Sequence, residues 1–406
     1  MQQIIVEKPY RFIPPHRGDW IPTLIQRFHV VDWYLKRFEG ITSYEVRHGD
    51  RLRESLRQRR GIILAPNHCR YADPIAMGWV AREVDVFIYS MASWHLFNQS
   101  RLQTFAIGLC GGFSVYREGV DRQSLETAVG IITEAKRPLV VFPEGTVFRS
   151  NDLLQPLMDG VAFLARAAAR RRIKHGLGDV VIHPVAIKYL FRGNLEESIE
   201  PILSSLEQRL AWNRLGKSEH LLDRIARIDE AQLALKEIQY LGRAQCGTMS
   251  HRRTRMVEHL LIPLEIQWLG KPQESDLLPR VKQLRSAIVP CLFEAKFAHE
   301  RRMQLWSQLA DIYLAQQIAS PVSDYLNVPT DTRVLETVER IEEDMTDRTT
   351  LQRPLHAVLE VGEAIDVDGS KPAKGETDPL MIQIASSLGQ MLARLSTEAK
   401  PIIKPS

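Results

Sequence analysis

Between the apolar runs "GIIL" (61–64) and "IAMGWVA" (75–81) the chain reads "APNHCRYADP" (65–74). An imidazole, His68, precedes a carboxylate, Asp73, with four residues between them. Such a pair suits general-base chemistry: the carboxylate fixes the tautomer and stabilises the charged ring, while the other ring nitrogen takes a proton. On a regular helix the two side chains would stand about 140° apart. They meet only if the stretch is partly a turn, as the breakers around it at a strand-to-helix junction suggest. The plainer alternative is a surface loop in which Asp73 caps the next helix and His68 is incidental. Cys69 offers a rival chemistry, a thiol carrying an acyl group. Adjacent side chains point in different directions, so sharing one proton with His68 is disfavoured.

Three later stretches offer groups that hold a substrate. "GGFSVYREG" (111–119) ends an apolar run in Arg117, whose planar fork of donors suits phosphate. "VVFPEGTVFRS" (140–150) ends another in Glu144, Gly145 and Thr146, where a Gly-Thr turn brings backbone N–H groups and a hydroxyl near a ligand. "IHPVAIKY" (182–189) sets Pro184 within a third apolar run.

The elements that must position these groups alternate. Strands are expected over 61–66, 84–90, 112–117, 138–144 and 180–189, with helical patterns between them. That alternation predicts an α/β fold with a largely parallel sheet flanked by helices. In such sheets substrate enters at the carboxyl ends of the strands, where His68 would stand. Helical periodicity dominates from 197 to 345 and predicts a helical-bundle insertion. "LHAVLEVGEAIDV" (355–367) then reads as strand–turn–strand and 381–396 as a last amphipathic helix. The expected organisation is an N-terminal amphipathic helical segment (1–59), an α/β core (60–196), the insertion (197–345) and a return to the core (346–406).

The ordered set N-H-x-x-x-x-D, G-x-x-x-x-x-R, F-P-E-G-T and a P-V strand resembles the glycerolipid acyltransferase family, which includes lysophosphatidate and glycerol-3-phosphate acyltransferases. The resemblance covers about 60–190 and implies the α/β acyltransferase fold. It implies His68 as catalytic base with Asp73 orienting it. Gly111 opens the block whose Arg117 would hold the acceptor's phosphate or headgroup. Glu144, Gly145 and Thr146 would help bind the acceptor, and Pro184 would line the acyl pocket. The implied reaction moves a fatty acyl group from acyl-CoA or an acyl-carrier protein to the hydroxyl of a lysophospholipid or glycerol-phosphate acceptor, with 1-acylglycerol-3-phosphate first among them. No cofactor or metal is needed for it. Arg usually follows E-G-T directly in the family; here Val147 and Phe148 intervene before Arg149. Two other classes stay open: a lipid-binding or scaffolding protein that keeps the fold without turnover, and a hydrolase using water as acceptor.

Composition narrows the classes. The 406 residues are 44% hydrophobic and 25% charged, as in folded proteins, which excludes a disordered chain. A net charge of +4 favours an anionic surface or substrate and is too small to argue nucleic acid. Four scattered cysteines without metal-like spacing suggest a reducing compartment. The uncharged stretches 86–100 and 102–116 are short of the roughly 20 residues a spanning helix needs, so no transmembrane helix is expected. Residues 20–38 carry Ile21, Leu24, Ile25, Phe28, Val31, Tyr34, Leu35 and Phe38 at helical spacing with cations on the other side. Such a helix either lies in a membrane interface or covers the core. The expected location is cytoplasmic and peripheral to a membrane.

Overall fold

A computed structural model of the chain describes residues 9–212, 220–293, 299–319, 325–370 and 378–402. Eight strands form one sheet: β1 (Ile41–Arg47), β2 (Gly61–Pro66), β3 (Tyr89–Ser93), β4 (Gly112–Val115), β5 (Leu139–Val140), β6 (Val180–Phe191), β7 (Leu355–Val361) and β8 (Ile365–Val367). Their order is β1-β7-β6-β2-β5-β3-β4, with β8 beside β6. Every pairing is parallel except those of β7 and β8 with β6. The fold is therefore α/β, a mostly parallel sheet flanked by helices, with further helices beyond it.

The flanking helices are α1 (Trp20–Arg27), α2 (Val30–Phe38), α3 (Gly49–Arg57), α4 (Asp73–Glu83), α5 (Arg101–Leu109), α6 (Arg122–Glu134) and α7 (Gly160–Lys174). After β6 come α8 (Leu195–Arg209), α9 (Leu221–Leu241), α10 (Met249–Leu269), α11 (Leu277–Ile288), α12 (His299–Ile318) and α13 (Asp331–Thr346). The last helix, α14 (Pro379–Ser396), follows β8.

β6 is buried along its whole length, as a central strand covered on both faces must be. Its odd-numbered Val181, Val185, Ile187, Tyr189 and Phe191 pack with α4, α8 and α13. Its even-numbered Val180, Ile182, Ala186 and Leu190 pack with α6, α7 and α14. That period of two sorts the strand into two cores, and Tyr189 falls on the α4 side. A third core joins α10, α11 and α12 to Trp94, at the end of β3.

Several expectations shift. The segment 1–59, read as helical, contributes the strand β1; its polar alternation in "ITSYEVR" hides a strand that pairs only with β7. The expected helix over 20–38 breaks at His29, whose φ of 52° ends α1 and starts α2 at a new angle. The strand expected over 84–90 lies instead at Tyr89–Ser93, because Val84 still caps α4 and Asp85 turns the chain with φ of 55°. The strand expected over 138–144 pairs only at Leu139–Val140; Pro143 lacks an N–H and Gly145 reverses the backbone with φ of 72°. The two strands of 355–367 do not pair with each other; both run antiparallel to β6.

Candidate active site

The carboxyl ends of the parallel strands converge. β2 ends two residues before His68, β3 ends at Ser93, β4 ends two residues before Arg117, and β5 ends four residues before Glu144. This is the crevice where open parallel sheets take their ligands.

His68 and Asp73 meet. Nδ1 of His68 lies 2.9 Å from Oδ2 of Asp73, which opens α4. A carboxylate has no proton to give, so Nδ1–H donates and Nε2 is left free to take a proton. Asp73 is fully buried, and its oxygens are fully engaged: Oδ2 also accepts from the Arg70 N–H at 2.9 Å, and Oδ1 accepts from the Tyr189 hydroxyl at 2.7 Å. The His68 ring stacks on Phe142 with centroids 4.1 Å apart, so it is held on its face as well as its edge.

Asn67 and Asn151 fix the loop that carries the pair. The Asn67 amide donates to Ile187 O at 3.0 Å and accepts from Ile187 N at 2.7 Å. Asn151 does the same at Tyr189, donating to its O at 2.7 Å and accepting from its N at 2.9 Å. Each side chain imitates one rung of a strand ladder, extending the β2 side of β6 past the end of β2. Buried backbone groups there would otherwise lack partners.

Glu144 is a brace. Its Oε1 accepts from the His68 N–H at 2.6 Å and its Oε2 from the Gln155 N–H at 2.9 Å. Burial raises its carboxyl to about 8, against the lowering effect of the two N–H groups. Gly145 follows in a left-handed turn, and a Cβ added there would lie 2.9 Å from Nη2 of Arg117. The Arg117 guanidinium thus lies against the residue next to the one holding the His68 backbone.

Arg117 makes no hydrogen bond or ion pair among the described residues. Burial and the nearby Arg285 lower it to about 10, Glu118 opposing them, so it still carries its charge near neutral pH. It lines a cavity of about 120 Å³ with Tyr71, Ser93, His95, Thr146 and Arg149. The helices α11, α12 and α13 close that cavity with Arg285, Tyr313 and Arg340. The displaced cation Arg149 reaches the same cavity, ion-paired to Glu343 and set over the Tyr71 ring at 5.4 Å. A neighbouring cavity of about 220 Å³ shares Phe148 and Gln316 with it and adds Pro156, Leu277 and Leu278.

The remaining sequence candidates lie elsewhere. Gly111 has φ of 82° and a Cβ there would meet Ile88 O at 2.4 Å, a tight backbone approach at the start of β4 that only glycine tolerates. Pro184 is buried in β6 opposite Ala65 and lines neither cavity. Cys69 is 1% exposed, and burial raises its thiol well above the usual range, leaving it protonated and a poor nucleophile. Tyr189, Asn151, His95 and Arg285 are additions that motif spacing did not reveal. For Tyr189 there was a signal: "KY" is a polar pair in the otherwise apolar run "VAIKYLF".

The α/β sheet thus brings a His–Asp pair and an unpaired guanidinium to its strand ends. Residues 48–188 match the family model described as Acyltransferase. Every residue named from the four motifs lies inside that matched segment. No curated protein matches the chain.

Proposed function

We propose that the protein transfers a fatty acyl group from an acyl thioester, acyl-CoA or acyl-carrier protein, to the hydroxyl of a lysophospholipid or glycerol-phosphate acceptor, with 1-acylglycerol-3-phosphate the first candidate. The observation that carries the reading is the 2.9 Å contact of His68 with buried Asp73, joined through Glu144 and Gly145 to an unpaired Arg117.

A free hydroxyl is a weak nucleophile near neutral pH. Nε2 of His68 takes its proton as the oxygen attacks the thioester carbonyl, and Asp73 stabilises the imidazolium that forms. The tetrahedral oxyanion that forms requires hydrogen-bond donors at the carbonyl oxygen. Collapse breaks the C–S bond, and the imidazolium returns its proton to the thiolate. Arg117 holds the acceptor's anion while Glu144 keeps the His68 backbone in place.

The reaction is assigned to a bilayer surface. Trp20 on α1, Phe28 between the helices and Trp33 on α2 are 65%, 69% and 61% exposed, with Arg27, Lys36 and Arg37 exposed beside them. Aromatic rings flanked by cations suit the headgroup region of an anionic membrane. No helix among the described residues is long and apolar enough to cross one.

The test is thiol release and product mass from two donors across a panel of lysolipids, with and without His68→Ala. Acceptor-dependent release that falls about 10²–10⁴-fold in the variant is the expected result. Release without any acceptor would mean hydrolysis, and tight lysolipid binding with no release would mean a binding protein.

A further inference from the structure

The headgroup cavity is completed from outside the matched domain. Arg285, on α11, donates to Oε1 of Glu118 at 2.6 Å, and its Nη2 lies 3.2 Å from Nε2 of His95. Glu118 also accepts from Trp94 Nε1 at 2.8 Å, so its one charge is shared while Arg117 next to it is unpaired. Two guanidiniums stand at one carboxylate, leaving positive charge in excess on this side of the cavity. Two further polar atoms on the lining have no partner and are buried: Nδ1 of His95, in a ring 8% exposed, and Oγ of Ser93. Nε2 of His95 also lies 3.2 Å from Oε1 of Glu118, to which it donates, so Nδ1 of the neutral ring is an acceptor without a partner. The unpartnered buried hydroxyl of Ser93 beside surplus cations marks a site for a multiply charged oxygen anion. The carboxylates on the same lining, Glu343 and Asp344, belong to α13, where Glu343 is held by Arg149.

We propose that Arg285 joins Arg117 as the second arm of an anion clamp, with the Ser93 hydroxyl as its neutral contact, and selects acceptors ending in a phosphate monoester over those whose phosphate carries a zwitterionic headgroup. The proposal rests on the acyl-transfer reading for its substrate, and on the cavity alone for its anion. A monoester presents up to two negative charges and three free oxygens to the clamp. A diester presents one charge and fills the same space with a group that finds no use for a guanidinium.

The experiment compares wild type, Arg285→Gln and Arg285→Lys. KM and kcat are measured for 1-acylglycerol-3-phosphate and for lysophosphatidylcholine, and binding of glycerol 3-phosphate and of inorganic phosphate is measured by calorimetry. Loss of one charge-assisted contact predicts a KM for the monoester about 10–100-fold higher in Arg285→Gln, partly restored in Arg285→Lys, with kcat and the diester KM within about threefold. Equal losses on both acceptors, or a fall in kcat with the melting temperature, would make Arg285 a brace for Glu118 and overturn the proposal. Calorimetry separates the two readings. Glycerol 3-phosphate that binds wild type and binds Arg285→Gln at least about tenfold more weakly upholds the clamp even if no acyl transfer is found, in which case only the acyl-transfer reading fails. Undiminished binding in Arg285→Gln, or inorganic phosphate bound as tightly as glycerol 3-phosphate, would overturn the assignment.

Discussion

Asp73→Asn isolates the charge of the catalytic pair from its shape. Asp73 receives four donors: His68 Nδ1–H and Arg70 N–H at Oδ2, and at Oδ1 the Tyr189 hydroxyl with, more weakly, the Cys69 thiol at 3.8 Å. An asparagine amide can keep its oxygen at the Oδ2 position, where two donors need it. Its NH₂ then faces Tyr189, whose hydroxyl can rotate to accept. The geometry survives and the negative charge does not. At a charge separation of about 4 Å and an effective dielectric of about 20, that charge stabilises the imidazolium by about 4 kcal/mol. At 1.36 kcal/mol per tenfold, kcat should fall about 10³-fold. Acceptor KM should move little, since Arg117 is untouched. The assay is steady-state thiol release with saturating acyl donor and varied acceptor, alongside thermal unfolding to show that the variant is folded. A folded variant that retains kcat within about tenfold of wild type would refute a charge-stabilising role for Asp73.

Glu144 and the exposed aromatic face make two further predictions. The folded-state pKa of Glu144, about 8, lies above its unfolded value, so its stabilising contribution is full below about pH 4.5 and is lost as pH rises through 8. Glu144→Gln removes that titration, so the melting temperature of wild type should fall relative to the variant between about pH 4.5 and 8; parallel curves would place the ionisation elsewhere. Replacing Trp20, Phe28 and Trp33 together with Ser should cut partitioning onto anionic vesicles by more than about tenfold while leaving turnover of a detergent-dispersed acceptor within about twofold. Unchanged vesicle binding would move the membrane contact to another face.

The alternation of short apolar runs with helical patterns made the sheet legible, because β2 and β6 are central and their burial writes itself as hydrophobicity. β1 was not legible: it pairs on one side only, and Ser43, Glu45 and Arg47 face outward in a pattern that looks like a loop. The meeting of His68 and Asp73 could be foreseen because both lie in one turn, where local stereochemistry decides. Arg285 could not, since it reaches Glu118 across 167 positions of chain and no periodicity encodes that approach. Glu144 shows the limit of a motif: its place is visible in "FPEGT", but only coordinates reveal that both oxygens are spent on backbone N–H groups.

One face of α13 bears on how portable the chemistry is. Glu336, Glu339 and Glu343, spaced three and four apart, form a stripe that receives the Asn151 N–H at 3.2 Å, the Arg70 guanidinium at 2.7 Å and the Arg149 guanidinium in turn. Arg70 is itself buried, two residues from His68. Cutting the gene after residue 196 would yield every signature motif yet remove the counter-ion of Arg70 and strip β7 and β8 from the sheet. The shortest polypeptide able to work is thus set by a helix that lies some 150 residues beyond the matched segment.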